Sequence, residues 1–420
     1  PFLNSECGNV WGYTGSTGDV DWSYDYHRMI NSFRKFPEVG GWLYTEHHDV
    51  INEWNGYWRF DRSEKDTGLS EIMEGMTLND FHSLLYLSTG VEICRTVNGG
   101  EKIKVPLFLS SMSGIDYGDE IIIEYELSHI NQIAESKIIS SNQFKIKYSP
   151  WMNKKINPIE IKMPEIAGLS KLALKVKTLN NKILHRNFMH FEVFSNKKIS
   201  NTKVLSISPN NISNSKWSKK SWPVLGGKKL NGAGSGFFEY KFVLPNDYNN
   251  LDFKEAFFVI EVSAKEFFDK DKKGENYKDA GMDWMRGSIV SPSKNPNSYP
   301  MTDEKLFPSI IKVFINDKFK KSFNLSDDPA DHRGVLSWHN QIIPSVKRPH
   351  KNWLKEKRVL NEAGSYGYLI KVPISKEELF ESIEDGSLKV RIQTEDDGGV
   401  AVYGRLFGRY PIDPSLILKK

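Results

Sequence analysis

The sequence predicts a multidomain chain in which a short segment of strand and helix is followed by two all-β domains. Three patterns support this prediction. Residues 1–45 have the order strand, loop, helix, strand; from residue 102 apolar residues recur with period two; and from residue 236 strands alternate with long loops. A chain of 420 residues has room for two to four domains of ordinary size.

The first 45 residues have the pattern of one β/α unit and the strand that follows it. A short apolar pair leads into Glu6, and small residues come after it, as expected where a strand ends in a loop. A helix is predicted from Asp21, since its apolar residues fall at helical spacing, and Pro37 ends it. A second strand over residues 39–45 then completes a pair of the kind found in parallel sheets.

Titratable and aromatic residues are concentrated directly after the second strand. The loop 46–56 contains two glutamates, two histidines, Asp49 and Trp54. Such density at the carboxyl end of a parallel strand is typical of an active site. For Glu6 by itself, the simpler interpretation is an ordinary glutamate at a strand end.

Two sequence boxes in this region resemble glycoside hydrolase family 2, the family of β-galactosidases and β-glucuronidases. Ser5-Glu6-Cys7-Gly8 is similar to the Ser-Glu-aromatic-Gly box on the seventh strand of that family's catalytic barrel. Residues 41–46, with parts of 49–56 and the pair Asp61-Arg62, resemble the eighth strand and the loop that leaves it. The chain departs from the pattern at Cys7, where the family usually has Phe or Tyr.

This resemblance implies a fold and a chemistry for residues 1–67. They would be the last two strands of an incomplete (β/α)₈ TIM barrel, and Glu6 would be the nucleophile of a retaining β-glycosidase. The acid/base carboxyl would lie on an earlier strand, so that the chain is expected to be the C-terminal portion of a larger enzyme and inactive alone. Glu53 is interpreted as a loop carboxylate. The residues expected to face the sugar are Trp11, Tyr44, His48, Asp49 and Trp54.

Composition argues against several other classes of protein. The net charge is +4, and the lysine-rich stretches fall in predicted loops, which does not favour nucleic-acid binding. No apolar run is long enough to span a bilayer. Adjacent side chains on an extended segment point to opposite sides, so His47-His48 predicts no metal site, and no cofactor is expected. A secreted or periplasmic location is favoured if the whole enzyme degrades polysaccharide.

The remainder of the chain is predicted to be all-β. Residues 68–99 would connect the barrel to an immunoglobulin-like sandwich over residues 100–195. Residues 196–222, rich in Ser, Asn and Lys, are interpreted as a linker. Residues 223–420 are predicted to form a jelly roll similar to galactose-binding-like modules. Cys7 and Cys94 fall in different predicted domains and are expected to be free thiols.

A cluster in the last domain combines the residue types that hydrogen-bond to sugars and stack on them. It is a candidate accessory sugar site made of Asp328, Asp331, Arg333, Trp338 and His339. A long structural loop that uses Asp and Asn for its turns is the alternative. For the chain as a whole, the alternative to a glycosidase is a non-catalytic carbohydrate-binding or scaffold fragment.

Overall fold

The structure is a computed structural model that describes residues 1–7, 23–48, 56–58, 62–64, 69–244, 253–265, 308–325, 367–384, 386–406 and 408–420. Within these ranges the protein is mostly β, as predicted, and it divides into two compact units, one that ends at Lys197 and one that begins at Lys198. No helix in the described part of the chain is long and apolar enough to cross a membrane.

The first unit contains short helical segments and strands β1 to β10. The helical segments are α1 (Ser23–Lys35), α2 (Leu69–Ile72) and a 3₁₀ turn (Leu78–His82). The strands are β1 (Phe2–Cys7), β2 (Val39–Tyr44), β3 (Leu85–Ser88), β4 (Cys94–Asn98), β5 (Lys102–Ser111), β6 (Glu120–Asn131), β7 (Ser136–Lys147), β8 (Asn153–Lys162), β9 (Gly168–Lys177) and β10 (Ile183–Phe194).

Strands β1 and β2 form a two-stranded parallel sheet, with α1 between them in the sequence. This is the predicted strand, helix, strand order. Among the described residues β4 and β10 also pair in parallel, and no sheet closes into a barrel.

The remaining strands of the first unit form a β-sandwich. One sheet has the order β4-β10-β9-β6-β7 and the other β3-β5-β8. Strand β9 shows why the sheets pack together, because Leu172, Leu174 and Val176 are fully buried while the intervening lysines are partly exposed. Side chains from both sheets share one apolar core. Both cysteines are buried free thiols, as predicted.

The second unit is a larger antiparallel sandwich made of strands β11 to β22. Its strands are β11 (Thr202–Ser206), β12 (Asn214–Trp217), β13 (Lys220–Val224), β14 (Lys229–Ala233), β15 (Gly236–Val243), β16 (Glu255–Ser263), β17 (Ser309–Ile315), β18 (Lys318–Leu325), β19 (Tyr368–Ile374), β20 (Ser387–Thr394), β21 (Val400–Tyr403) and β22 (Ser415–Lys419). It also contains a 3₁₀ turn (Leu225–Gly227) and the helix α3 (Lys376–Glu384).

The second unit buries one apolar core between its two sheets. One sheet has the order β11-β22-β16-β21-β14-β13, with β19 also paired to β16, and the other has the order β12-β15-β20-β17-β18. Residues 196–222 are therefore not a structureless linker, because β11, β12 and most of β13 lie within them. All three strands are at sheet edges, where one side of the strand has no partner and polar residues are common.

Candidate active site

The carboxyl ends of β1 and β2 lie level with each other. Cys7 is paired with Tyr44 in the parallel register, and the backbone N–H of Thr45 donates to the carbonyl of Cys7 at 2.7 Å. The thiol of Cys7 is buried and contacts the carbonyl of Leu43 at 3.3 Å. Glu6 lies one residue before Cys7, in the stretch between Asn4 and Cys7 where the register with β2 shifts. It is exposed, and its carboxylate has no hydrogen-bond or ion-pair partner among the described residues.

Tyr57 and Trp58 contact the residues that directly follow β2. The backbone N–H of Tyr57 donates to the carbonyl of His47 at 3.1 Å, and His48 forms a bridge with Trp58. These contacts place Tyr57 and Trp58 beside the residues that follow β2. The edge that carries Glu6 and Tyr44 is therefore also lined by residues that come later in the sequence.

Three tyrosines and a histidine pack together at this edge and are here called the tyrosine cluster: Tyr26, Tyr44, Tyr57 and His82. The ring centroid of Tyr44 lies 4.7 Å from that of Tyr26 and 4.7 Å from that of Tyr57. The hydroxyls of Tyr26 and Tyr57 are 2.7 Å apart, and Nε2 of His82 lies 3.1 Å from the Tyr26 hydroxyl. The indole N–H of Trp42 donates to the same hydroxyl at 3.3 Å.

Burial favours the uncharged forms of Tyr26, Tyr57 and His82. It raises the pKa of Tyr26 to about 12, and burial beside Tyr26 raises the pKa of Tyr57 as well. Burial also lowers the pKa of His82 below its usual value. Neutral phenols can donate hydrogen bonds and offer apolar ring faces, but they do not supply a base or a nucleophile at neutral pH. Of the residues discussed at this edge, Glu6 is the one with an exposed carboxylate.

The structure brings together part of the predicted site. Glu6, Tyr44 and His48 lie at the same end of the parallel pair. Trp11, Asp49 and Trp54 fall outside the described residues, as does the whole candidate accessory sugar site of Asp328, Asp331, Arg333, Trp338 and His339.

Sequence reasoning missed the roles of Tyr26, Tyr57 and His82. Tyr26 falls at helical spacing with the other apolar residues of α1, and it is fully buried. Its hydroxyl nevertheless has the three polar contacts described above. One signal in the sequence could have indicated these contacts: the apolar face of the helix contains a tyrosine where a leucine would be usual. A buried tyrosine hydroxyl needs a hydrogen-bond partner.

The second unit holds a separate buried polar group on the outer face of its larger sheet. Glu261 in β16 is fully buried and accepts hydrogen bonds from the backbone N–H groups of Arg409 at 2.8 Å and Tyr410 at 2.9 Å. In the adjacent strands Lys229 is also fully buried, with its ammonium 4.8 Å from the ring centre of Tyr403. Glu261 therefore fixes residues 409–410 against the sheet. Among the described residues no group of His, Cys, Asp and Glu side chains is arranged to hold a metal ion.

No family model matches the chain, and no characterised protein matches it by sequence. Among solved structures, Bacteroides uniformis β-glucuronidase is similar at 10% identity over 100% of this chain and 41% of that chain, with a TM-score of 0.21. The N-terminal CBM22-1-CBM22-2 tandem domain of Paenibacillus barcinonensis Xyn10C is similar at 9% identity over 76% of this chain and 92% of that domain, with a TM-score of 0.22.

Pseudomonas fluorescens alkylpurine DNA glycosylase AlkC, bound to DNA containing an abasic site analog, overlaps 31% of this chain and 34% of its own at 11% identity and a TM-score of 0.19. The matched segments cover less than half of the β-glucuronidase and of the DNA glycosylase.

Proposed function

We propose that this chain is the C-terminal portion of a retaining β-glycosidase of the family 2 type, which hydrolyses O-glycosidic bonds of oligo- or polysaccharides with Glu6 as the nucleophile. The observation that carries the proposal is the level pairing of Cys7 with Tyr44, which puts Glu6 at the carboxyl edge of a parallel β/α unit. In β/α barrels the catalytic residues lie at this edge. The resemblance of residues 5–8 to the nucleophile box points to the same glutamate.

The exposure of β1 and β2 supports a larger catalytic sheet. Phe2, Leu3 and Leu43 are 71%, 66% and 59% exposed. Strands of parallel sheets are normally covered on both faces and carry apolar side chains for that reason. Further strands and helices against this pair would bury these three side chains, and the resemblance places the acid/base carboxyl on such an earlier strand.

The proposed reaction has two steps. A carboxylate oxygen of Glu6 attacks the anomeric carbon and displaces the glycosidic oxygen, which takes a proton from the acid/base carboxyl about 5 Å away. Water then gives a proton to that carboxylate and attacks the same carbon, which releases the sugar and restores Glu6. Anomeric configuration is retained because the carbon is inverted twice.

Tyr44 and Tyr57, the half-buried tyrosines of the tyrosine cluster, would form one wall of the sugar site, and the fully buried Tyr26 would support them. A neutral phenol can donate a hydrogen bond to a sugar oxygen and pack against an apolar ring face without competing with Glu6 as a nucleophile. Trp11, His48, Asp49 and Trp54 remain proposed sugar contacts on the loops that follow β1 and β2.

The kinetic test compares Glu6→Gln with Glu38→Gln in the longer enzyme that includes the acid/base strand. Glu38 is an exposed glutamate just before β2, at the opposite end of the strand pair. Glu6→Gln should lower kcat by several orders of magnitude with substrate binding largely kept, because an amide cannot attack the anomeric carbon. Azide should partly restore turnover of Glu6→Ala. Near-normal turnover of Glu6→Ala would remove Glu6 from the mechanism.

A second candidate function is carbohydrate binding without catalysis. The observation that favours it is a cleft in the second unit whose lining combines aromatic and polar side chains. The two functions are compatible in one polypeptide, and they depend on different residues.

A further inference from the structure

A cleft of about 480 Å³ opens at one end of the smaller sheet in the second unit, and is here called the end cleft. Its volume lies within the range of about 300–1,000 Å³ that is usual for small-molecule sites. The residues that line it are Lys216, Trp217, Ser218, Ser235, Gly236, Phe237, Gln393, Thr394 and Glu395. The lining thus combines aromatic rings, hydroxyls, an amide, a cation and a carboxylate.

The register of the sheet puts three of these side chains in one row. Lys216 in β12 pairs with Phe237 in β15, and Phe237 pairs with Gln393 in β20. Their neighbours along the strands, such as Phe238 and Ile392, belong to the apolar core, so the three side chains of the row project from the outer face. With adjacent strands about 4.8 Å apart, the row is about 10 Å wide.

Phe237 is held in place at the centre of this row. The guanidinium of Arg391 lies 4.8 Å from the ring centre of Phe237. Arg391 is itself fixed by Glu239 at 2.7 Å and by Asp317 at 2.6 Å. A half-exposed aromatic ring with a fixed position is a platform on which a ligand can stack with little loss of side-chain entropy.

Polar side chains flank Phe237 on both sides of the row. The ammonium of Lys216 and the amide of Gln393 have no hydrogen-bond or ion-pair partner among the described residues. Glu395 differs, because its carboxylate is 2.6 Å from the ammonium of Lys312. A ligand in the end cleft would therefore meet one uncompensated cation on one side of the ring and a free amide on the other.

We infer that the end cleft binds a sugar that carries a carboxylate, with the pyranose ring stacked on Phe237, its hydroxyls bonded to Gln393 and its carboxylate paired with Lys216. A sugar offers both an apolar ring face and hydroxyls that donate and accept, which matches this mixture of side chains. A polyphosphate or nucleic-acid strand would need several unpaired cations, whereas the cleft has one and also holds the carboxylate of Glu395. The inference does not depend on the proposed role of Glu6.

The experiment titrates residues 1–420 with three matched pairs of tetrasaccharides, and binding is measured by isothermal titration calorimetry. The pairs are β-1,4-linked glucuronate and glucose, mannuronate and mannose, and α-1,4-linked galacturonate and galactose oligomers. At least one acidic oligomer should bind at least tenfold more tightly than its neutral counterpart, and the difference should shrink with added salt. Binding at the end cleft is assigned by the substitutions at Phe237 and Lys216, whereas the role of Glu6 is tested by turnover, so that the two proposals fail separately.

Two substitutions with matched controls test the assigned contacts. Phe237→Ala should weaken binding about tenfold, which corresponds to about 1.4 kcal/mol, while Phe319→Ala, at an exposed phenylalanine of β18, should not. Lys216→Gln should lower the affinity for the acidic oligomer to nearly the affinity for the neutral oligomer. Lys241→Gln, at an exposed lysine of β15, should leave the affinity for the acidic oligomer unchanged.

Circular dichroism would first show that each variant is folded. Any of three results would then overturn the inference: no acidic oligomer binds, Phe237→Ala binds as tightly as the wild type, or Lys216→Gln and Lys241→Gln change the affinity equally.

Discussion

The Nε2 atom of His27 in α1 lies 2.5 Å from the Oδ1 atom of Asn187 in β10, and both residues are fully buried. The amide of Asn187 also donates to Oδ1 of Asn31 at 2.9 Å and to the carbonyl of Leu87 at 2.7 Å. The hydroxyl of Tyr86 donates to the same Asn31 oxygen at 2.9 Å. Helix α1 is thus joined to the first sandwich by a buried polar network as well as by apolar contacts.

Removing Asn187 should loosen α1. Asn187→Ala removes the 2.5 Å contact with His27 Nε2 and the amide donor to Asn31 and to the carbonyl of Leu87, which should lower the free energy of unfolding by about 1–3 kcal/mol. Hydrogen exchange of peptides from α1 and β10 measures this loss locally. Asn142→Ala, at an exposed position of β7, is the control. Equal protection of α1 in Asn187→Ala and in the control would show that the network does not hold the helix.

The first unit should lose stability in weak acid because of His185. Burial, together with the charge of Arg34, lowers the pKa of His185 to about 3. Between that value and the ordinary histidine pKa of about 6.5, the unfolded chain binds a proton that the folded chain does not, so stability falls as the pH decreases. The expected loss from this residue between pH 6.5 and pH 5 is about 2 kcal/mol.

The measurement is the urea midpoint of the first unit at each pH, followed by deuterium uptake of the β10 peptide. His185→Phe keeps an aromatic ring beside Tyr86 and should flatten the pH dependence. His47→Phe, at an exposed histidine, should leave the pH dependence of stability unchanged. A wild-type slope in His185→Phe would assign the acid sensitivity to other groups.

Gly232 should be needed for the packing of Trp217. A Cβ atom at position 232 would lie 2.1 Å from Cε2 of the Trp217 ring, a contact that cannot form without displacement of the indole. Gly232→Ala should therefore destabilise the second unit by about 1–3 kcal/mol and shift the Trp217 fluorescence to longer wavelength. Gly114→Ala puts its Cβ 3.4 Å from a tryptophan ring nitrogen and should be tolerated. An unchanged emission spectrum in Gly232→Ala would contradict this packing.

Glu261 should contribute strongly to the stability of the second unit. Glu261→Ala leaves the two backbone N–H groups of residues 409 and 410 without this acceptor, at a cost of about 2–6 kcal/mol, twice the range for one buried unsatisfied group. Glu255→Ala, on the same strand, removes an exposed pair with Lys419 and should cost about 0–1 kcal/mol. Urea unfolding followed by tryptophan fluorescence compares the two, and similar midpoints would refute the role of Glu261.

Much of the strand pattern could be predicted from the sequence, because the alternation of apolar and polar residues along a strand reflects which side chains are buried. Leu172, Leu174 and Val176 alternate with lysines and are fully buried in β9. The edge strands β11, β12 and β13 could not be recognised, since they bury few apolar residues and resemble a linker in composition.

The polar face of α1 could not be predicted either. His27, Asn31 and Arg34 are at most 2% exposed, although these residue types are usually at the surface. Partners of His27 and Arg34 lie between 50 and 160 residues away in the sequence. At the candidate site, the resemblance identified Glu6 and Tyr44, whereas the contacts of Tyr26 with Tyr57 and His82 depend on the folded chain.

The most direct test of Glu6 as the nucleophile is to trap the proposed glycosyl-enzyme. The longer enzyme that includes the acid/base strand would be incubated with an aryl 2-deoxy-2-fluoro-β-glycoside, digested and mapped by mass spectrometry. One sugar should be added, on the peptide that contains Glu6, with labelling lost in Glu6→Gln and kept in Glu38→Gln if Glu6 is the nucleophile. A sugar attached to any other carboxylate, or undiminished labelling of Glu6→Gln, would contradict it.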